Sequence, residues 1–127
     1  MDSHFPFEQL DVYQLSVAYA TQVYRATTTF PDTEKFGLTN QMRRAAVSIS
    51  LNIAEGRGRG GDRELVRYLM IARGSLFEVV AGAQIAGAQI AEQLGFLNVE
   101  AARTLRQDAH TLSAKLMTLI KRLTPTS

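Results

Sequence analysis

The 127-residue sequence predicts an all-α protein, an up-down-up-down antiparallel four-helix bundle that occupies residues 1–127 as a single domain. Proline occurs only at Pro6, Pro31 and Pro125, so long helices are permitted between the last two. Apolar residues recur every three or four positions along four segments of about 20–30 residues each. No segment alternates with the period of two that a half-buried strand shows. Short connections between the segments are typical of antiparallel neighbours in a bundle.

The first two helices are separated by a connector at residues 31–38. The first helix is predicted from about residue 7 to residue 28, and Pro31 and Gly37 then break the helical pattern. The second is predicted from about residue 39 to residue 55, with Thr39 or Asn40 as its N-cap and Gly56 as its C-cap. The predicted apolar faces are Val12, Tyr13, Val17, Ala20, Val23 and Tyr24 in the first helix, and Leu38, Met42, Ala45, Ile49 and Ile53 in the second.

The third and fourth helices carry the longest apolar stripes. The third follows a turn at residues 56–62, with Asp62 as its N-cap and Glu64 in its first turn. Its second half repeats GAQIA at residues 82–86 and 87–91, which we interpret as close helix packing. A turn at residues 94–98 with Gly95 and Asn98 precedes the fourth helix, and Pro125 ends it. The stripes are Leu65, Tyr68 or Leu69, Ala72, Leu76, Val79, Ala83 and Ala86, then Ala102, Leu105, Ala109, Leu112, Leu116, Leu119 and Leu123.

The composition excludes several classes of chemistry. The chain has no Cys, so it forms no disulfide and offers no thiolate nucleophile or metal ligand. Neither of its two His, His4 and His110, follows a Glu three residues earlier, as the ligands of di-iron bundles do. Glu55 and Glu78 are the carboxylates that an acid–base pair would use if they met in space, but no local motif supports catalysis. We therefore expect no catalytic residue, no metal site, no cofactor and no enzymatic activity.

The hydropathy pattern argues against a membrane-spanning segment. No stretch reaches the ~18 uninterrupted apolar residues of a typical span, and the nearest candidate, residues 75–91, contains Glu78, Gln84 and Gln89. The N-terminal segment MDSHFPFEQLD is acidic and lacks the apolar run of a secretory signal. The expectation is a soluble cytoplasmic protein without a membrane partner.

Positive charge is concentrated in the middle of the chain. Residues 43–73 contain seven Arg, no Lys and three acidic residues, a net charge of +4, whereas the rest of the chain carries −2. Such a region can attract phosphates, or it can form an ion-pair network, because Arg binds carboxylates in a bidentate manner. The residues that could contact phosphate near the second interhelical loop are Arg43, Arg57, Arg59 and Arg63.

The loop itself matches two phosphate-binding patterns only formally. Gly56, Gly58 and Gly61 spell G-x-G-x-x-G, but a dinucleotide site requires a strand before this pattern, and a helix precedes it here. No Gly-Lys-Ser/Thr follows, which excludes the Walker phosphate loop. The segment RGRGG occurs once, so we interpret it as a helix end and a flexible turn that carries two Arg side chains.

The second helix has two apolar sides separated by a polar seam. At ~100° per residue, the seam lies about 100° from the core stripe. It consists of Gln41, Arg44, Ser48, Asn52 and Glu55, and the second apolar arc contains Ala46, Val47, Leu51 and Ala54. Since a small bundle rarely buries one of its own helices fully, the second arc indicates a subunit interface and a homo-oligomer.

Polar residues of the third helix are expected to meet this seam. They are Arg67, Arg73, Ser75 and Glu78. Buried charges need partners, so Glu55 and Glu78 are candidates to pair with the Arg residues at 44, 67 and 73. Such a network would either orient the subunits or bind a phosphate or acidic ligand.

Several motifs along the whole chain carry a family resemblance. They are the opening with Leu10, Val12 and Tyr13, the segment FPDTEKFGL at 30–38, the highly specific QMRRAAVSISLNIAEGRGR at 41–59, ARGSLFE at 72–78, and a leucine-rich last helix. In these motifs the chain resembles the four-helix bundle proteins known as 23S rRNA intervening-sequence proteins. Two departures stand out. Ser50 lies where the family often has Pro, and VVAGAQIAGAQIA replaces larger apolar residues, which could alter packing or assembly.

The resemblance implies a homo-oligomer, a ring of five subunits. The molecular function of the family is not established, although some members are encoded inside inserts of the large ribosomal RNA gene. Related barrel-shaped accessory proteins of diversity-generating retroelements bind nucleic acid and a reverse transcriptase. The resemblance therefore implies RNA or DNA binding. The alternatives are a protein-interaction scaffold without nucleic-acid binding and, third, a hydrolase or nuclease.

Overall fold

In the residues that it describes, the computed structural model consists of four α-helices and two short 3₁₀ helices. It describes residues 4–91 and 96–125, with the side chains of residues 88–91 outside the described part. No strand occurs within the described residues, so the predicted all-α class is confirmed. The elements are a 3₁₀ helix at Pro6–Gln9, α1 at Asp11–Thr27, a 3₁₀ helix at Asp32–Glu34, α2 at Leu38–Gly58, α3 at Asp62–Ala91 and α4 at Val99–Leu123.

Each helix packs against two others. Both α1 and α3 contact α2 and α4, which closes the four helices around one core. This pattern of contacts is the one expected of an up-down-up-down bundle, in which helices that follow each other in the chain are neighbours in space.

The core contains the predicted stripes of three helices. In α2, Met42, Ala45, Ile49 and Ile53 are buried, and Leu38 packs against them. In α3 every predicted position is buried, with Leu69 rather than Tyr68 at the ambiguous one, and in α4 all seven predicted positions are buried or packed against the core. The period of 3.6 residues therefore identified the inward faces of these helices correctly.

The predicted apolar face of α1 is wrong at two positions. Val17 and Tyr24 are 42% and 43% exposed, whereas Ser16 and Tyr19 are buried in the core. The hydroxyl of Tyr19 donates to a carbonyl oxygen of α4 at 3.0 Å, and the hydroxyls of Ser16 and Ser50 lie 2.8 Å apart. These hydrogen bonds allow polar groups to face the core. Ser50, the departure from the family's proline, thus links α2 to α1.

The N-cap predicted for α2 is wrong. The helix begins at Leu38, one residue earlier than Thr39. The N–H of Leu38 donates to the Glu34 carboxylate at 3.0 Å. A residue of the preceding 3₁₀ helix therefore accepts a hydrogen bond from a backbone N–H that has no partner within α2. A carboxylate at a helix N-terminus is also favoured by the helix dipole.

The C-cap predicted for α2 is also wrong. Gly56 is buried inside the helix, which continues to Gly58. The turn that follows depends on Gly60, whose φ of +80° is a conformation that glycine adopts without steric cost.

The N-cap predicted for α3 is wrong by one residue, because Asp62 is the first residue of the helix and the carbonyl of the preceding Gly61 accepts a hydrogen bond from the N–H of Leu65 at 3.0 Å. α3 begins at Asp62, and both Asp62 and Glu64 lie in its first turn. The turn predicted before α4 ends at Asn98, which caps the helix: Asn98 Oδ1 accepts a hydrogen bond from the N–H of Ala101 at 2.8 Å. Residues 94 and 95 of the predicted turn lie outside the described residues.

α3 is the one helix of the described residues that is long and apolar enough to cross a membrane, with a mean hydropathy of 1.3 over Asp62–Gly87. Its apolar stripe lies in the core, and the helix packs against α2 and α4. Gly82 lies so close to α2 that an added Cβ would be 2.6 Å from Met42 Cγ, in agreement with a packing role for the first GAQIA copy.

Candidate nucleic-acid interface

The α2–α3 loop places three Arg side chains at one end of the bundle. Arg57 lies in the last turn of α2, Arg59 follows the helix, and Arg63 lies in the first turn of α3. All three are exposed. The glycines between them, at 58, 60 and 61, have open space around them, since an added Cβ would meet no atom within 4 Å. A phosphate could therefore approach the loop backbone closely.

Arg57 and Arg63 are not neutralised by any described residue of the chain. No carboxylate of residues 4–91 or 96–125 lies within 4.0 Å of either guanidinium. The two cations can therefore bind a phosphate without first breaking an ion pair.

Arg59 has partners within the chain. Its Nε donates to Glu55 Oε2 at 3.0 Å, in an ion pair whose side chains are about half exposed. Its guanidinium carbon lies 5.4 Å from the centroid of the Tyr68 ring. The pKa of Arg59 is raised, first by the electrostatic influence of Tyr68 and then by the hydrogen bond to Glu55. The pair orients Arg59, although an exposed ion pair of this kind adds little stability.

Arg43 does not belong to this cluster. Its Nε donates to Thr27 Oγ1 at 2.8 Å, and one terminal NH₂ group donates to the Tyr24 carbonyl at 3.3 Å. Its guanidinium also stacks on the Tyr24 ring, with the guanidinium carbon 4.7 Å from the centroid. Since 14 residues of α2 separate Arg43 from Arg57, the two side chains begin about 21 Å apart along the helix axis. Through these contacts Arg43 links α2 to the C-terminal end of α1.

The end of α4 brings two further cations to this end of the bundle, which the sequence did not predict as site residues. Lys121 and Arg122 lie exposed in the last turn of α4. A cavity of about 280 Å³ lined by Arg57, Gly61, Leu119 and Leu123, among others, shows that the end of α4 lies beside the loop. The predicted topology could have indicated this position, because the end of α2, the start of α3 and the end of α4 lie at the same end of an up-down bundle.

The polar seam between α2 and α3 is formed largely by uncharged groups. The hydroxyls of Ser48 and Ser75 lie 2.9 Å apart across the two helices. Asn52 Nδ2 donates to the Ser48 hydroxyl at 2.9 Å and to the Ser48 carbonyl at 2.8 Å. Three of the predicted network residues therefore form one hydrogen-bonded group, and Gln41 and Arg44 lie exposed farther along the same helix.

The predicted ion pairs across the seam do not form within the chain. Arg67 pairs with Glu64 at 3.5 Å, just as Glu55 pairs with Arg59. Each partner lies three or four residues away on the same segment, where a helix brings side chains together. Arg73 stacks on Phe77, 4.6 Å from the ring centroid, and its Nε has no hydrogen-bond partner among the described residues.

Glu55 and Glu78 do not approach each other as an acid–base pair would. Gly56 packs against Tyr68, so Glu55 lies near that level of α3. Glu78 follows Tyr68 by ten residues, which corresponds to about 15 Å of helix. Within the described residues, no group of three His, Asp or Glu side chains is arranged to hold a metal ion.

The second apolar arc of α2 is smaller than predicted. Ala46 is fully buried inside the chain, so it is not available to a second subunit. Val47 and Ala54 are half-buried, and Leu51 is 64% exposed. On α3, Ile71 is 43% exposed. The apolar surface that this face offers to a partner therefore centres on Leu51 and Ile71.

Comparisons with known proteins place this architecture among small helical proteins. The family model described as 23S rRNA-intervening sequence protein matches residues 8–118. The fold is similar to the crystal structure of a protein of unknown function from the S23 ribosomal protein family of Bacteroides thetaiotaomicron VPI-5482. That comparison has a TM-score of 0.71 at 19% sequence identity and covers 87% of this chain and 98% of the other. No functionally curated protein matches the chain.

Proposed function

This chain belongs to the 23S rRNA-intervening sequence protein family, and we propose that it is a homo-oligomeric module that binds RNA or DNA through the α2–α3 loop. The observation that carries the proposal is the pair of exposed cations, Arg57 and Arg63, which flank a glycine-rich turn and have no carboxylate partner among the described residues. Phosphate contacts of this kind give affinity without sequence specificity.

Assembly would strengthen weak contacts. A single loop offers few cations, and each phosphate contact alone contributes modest affinity. A ring of five subunits, as implied by the resemblance, would present the same loop five times, and linked sites bind far more tightly than separate ones. The exposed Leu51 and Ile71 support such an assembly. When a second subunit covers an apolar patch on the α2–α3 face, the patch is removed from water, and this lowers the free energy of the assembly.

The assembly can be tested with Leu51→Asp. Light scattering of the wild-type chain at micromolar concentration should give a mass well above that of one subunit, and Leu51→Asp should shift it towards the monomer, because a buried unpaired carboxylate is costly. Val17→Asp makes a similar change at an exposed apolar position of α1 and should leave the mass unchanged. A monomeric wild-type chain, or equal effects of the two substitutions, would exclude this interface.

The nucleic-acid proposal is tested by titrating labelled RNA and duplex DNA at two salt concentrations. Wild-type binding should weaken steeply with salt, and Arg57→Ala/Arg63→Ala should reduce the magnitude of the slope of log K against log salt by about 0.9 for each duplex phosphate contact that is lost. Arg25→Ala removes an exposed cation of α1 and serves as the control. The absence of binding at low salt, or binding that the double substitution does not change, would contradict the proposal.

A protein-interaction scaffold is the second candidate function. In that case acidic residues of a neighbouring subunit or partner would neutralise Arg57 and Arg63, and the double substitution would lower the mass of the assembly without any effect on nucleic acid. Enzymatic activity is the weakest candidate, because Glu55 is engaged with Arg59 and lies apart from Glu78.

A further inference from the structure

The second half of α3 and the first half of α4 leave an open apolar groove between them. Two adjoining cavities of about 310 Å³ and about 190 Å³ form it, and they share Val80, Gln84 and Arg106. The groove exists because small residues, Ala83 and Ala102, line it where larger apolar side chains would close it.

The groove has the length and lining of a helix-binding site. It runs along α4 from Val99 to Ser113, which corresponds to about 21 Å. Buried apolar residues form its floor, and Phe77 and Val99, which are 48% and 62% exposed, lie at its edges. An amphipathic helix of about four turns would cover this surface with side chains at i, i+3, i+4 and i+7.

The charged side chains that line the groove favour an acidic partner. Arg103 and Arg106 line it, together with His110. Arg103 is paired with Glu100 at 3.2 Å, but no carboxylate of the described residues lies within 4.0 Å of Arg106. A partner with acidic side chains beside its apolar stripe would pair with Arg106, whereas a basic partner would be repelled.

We propose that the α3–α4 groove is a docking site for an acidic amphipathic helix of a partner protein. The site is separate from the α2–α3 loop and does not depend on nucleic-acid binding. It also differs from the α2–α3 face that we propose for assembly, so each subunit of an oligomer would retain its groove.

The test uses two synthetic peptides of about 18 residues with the same leucine stripe, one flanked by Glu and its twin by Lys. Fluorescence anisotropy without nucleic acid should show that the Glu peptide binds at least about tenfold more tightly than the Lys peptide, with a preference that salt weakens. Arg106→Glu should reverse the preference. Arg122→Glu makes the same change about 24 Å farther along α4 and should not.

A second variant tests the shape of the groove. Gly87 lines the groove, and an added Cβ there would meet no atom within 4 Å, so Gly87→Leu should fold while its side chain fills part of the groove and lowers the affinity for the Glu peptide about tenfold or more. Gly74→Leu, on the same helix outside the groove, should leave peptide binding unchanged. Equal binding of the two peptides, no binding of either, or a change in subunit mass caused by Arg106→Glu would overturn the proposal; the last result would assign the groove to a second copy of the chain. If Gly87→Leu does not fold, Arg106→Glu decides alone.

Discussion

Replacement of Gly56 by Ala is expected to lower the free energy of unfolding by about 2–3 kcal/mol, near the upper end of typical overpacking costs. A Cβ added at Gly56 would lie 2.5 Å from the Cβ of Tyr68 and 3.4 Å from the Cα of Leu65. Neither atom is at the flexible end of a side chain, so the two helices would have to move apart. The higher helix propensity of Ala offsets only part of this cost, by less than about 1 kcal/mol.

Gly74→Ala is the matched control for this substitution. Gly74 is also helical, but an added Cβ there would meet no atom within 4 Å. The same chemical change should therefore stabilise the chain by about 0.5–1 kcal/mol. Chemical denaturation of both variants measures the difference. If Gly56→Ala proves as stable as Gly74→Ala, close α2–α3 packing does not explain why glycine occupies position 56.

Gly56 also shows why the predicted end of α2 was wrong. A glycine near the end of an apolar stripe is typical of a helix C-cap, and the sequence contains no sign that another helix approaches at this point. The approach depends on Tyr68, which lies one helix farther along the chain. Close contact between helices is a tertiary property, and periodicity cannot distinguish it from a local stop.

The stripes of α2, α3 and α4 were predictable because each has a continuous series of aliphatic residues. The face of α1 was not, because Ser16 and Tyr19 interrupt the series. Their burial depends on partners 34 and 86 residues away in the chain. A pattern of hydrophobicity does not identify which Ser or Tyr of a helix faces the core, whereas a distant hydrogen bond makes the burial of a particular hydroxyl acceptable.

The sequence predicted which residues of the candidate site lie close together only where they are neighbours in the chain. Arg57, Arg59 and Arg63 lie within seven residues of one another, so any short turn brings them together. Arg43 was grouped with them by composition, yet hydrogen bonds to α1 hold it at the other end of α2. That the end of α4 lies beside the loop followed only from the topology of the whole bundle. The sequence alone therefore predicts that charged side chains lie close together when they belong to one loop, but not when they belong to different parts of the helices.

Tyr19→Phe is expected to change how stability depends on pH above pH 10. Burial raises the pKa of Tyr19 above its ordinary value of 10.0, and the nearby charge of Asp108 raises it further. Below the ordinary pKa, the hydroxyl is protonated in both the folded and the unfolded chain, and its contribution to stability is complete. Above it, the unfolded chain releases the proton while the folded chain keeps it, so the free energy of unfolding falls as pH rises.

The size of this effect follows from the number of protons released. One such tyrosine lowers the free energy of unfolding by about 1.4 kcal/mol for each pH unit above its ordinary pKa, or about 2 kcal/mol at pH 11.5. In Tyr19→Phe this component is absent. The variant should be less stable than the wild type by about 1 kcal/mol at pH 8, where it has lost the hydrogen bond to the Leu105 carbonyl. At about pH 11 the free energies of unfolding of Tyr19→Phe and the wild type should be equal, because ionisation in the unfolded state then offsets the hydrogen bond.

Urea denaturation of both proteins between pH 8 and pH 11.5 measures this crossing. Tyr24→Phe removes a tyrosine hydroxyl from a side chain that is 43% exposed, and it serves as the control for loss of one tyrosine. A constant difference between wild type and Tyr19→Phe across this range would mean that the hydroxyl ionises equally in both states. That result would contradict a buried Tyr19 bonded to α4, and with it the position of α1 in the bundle.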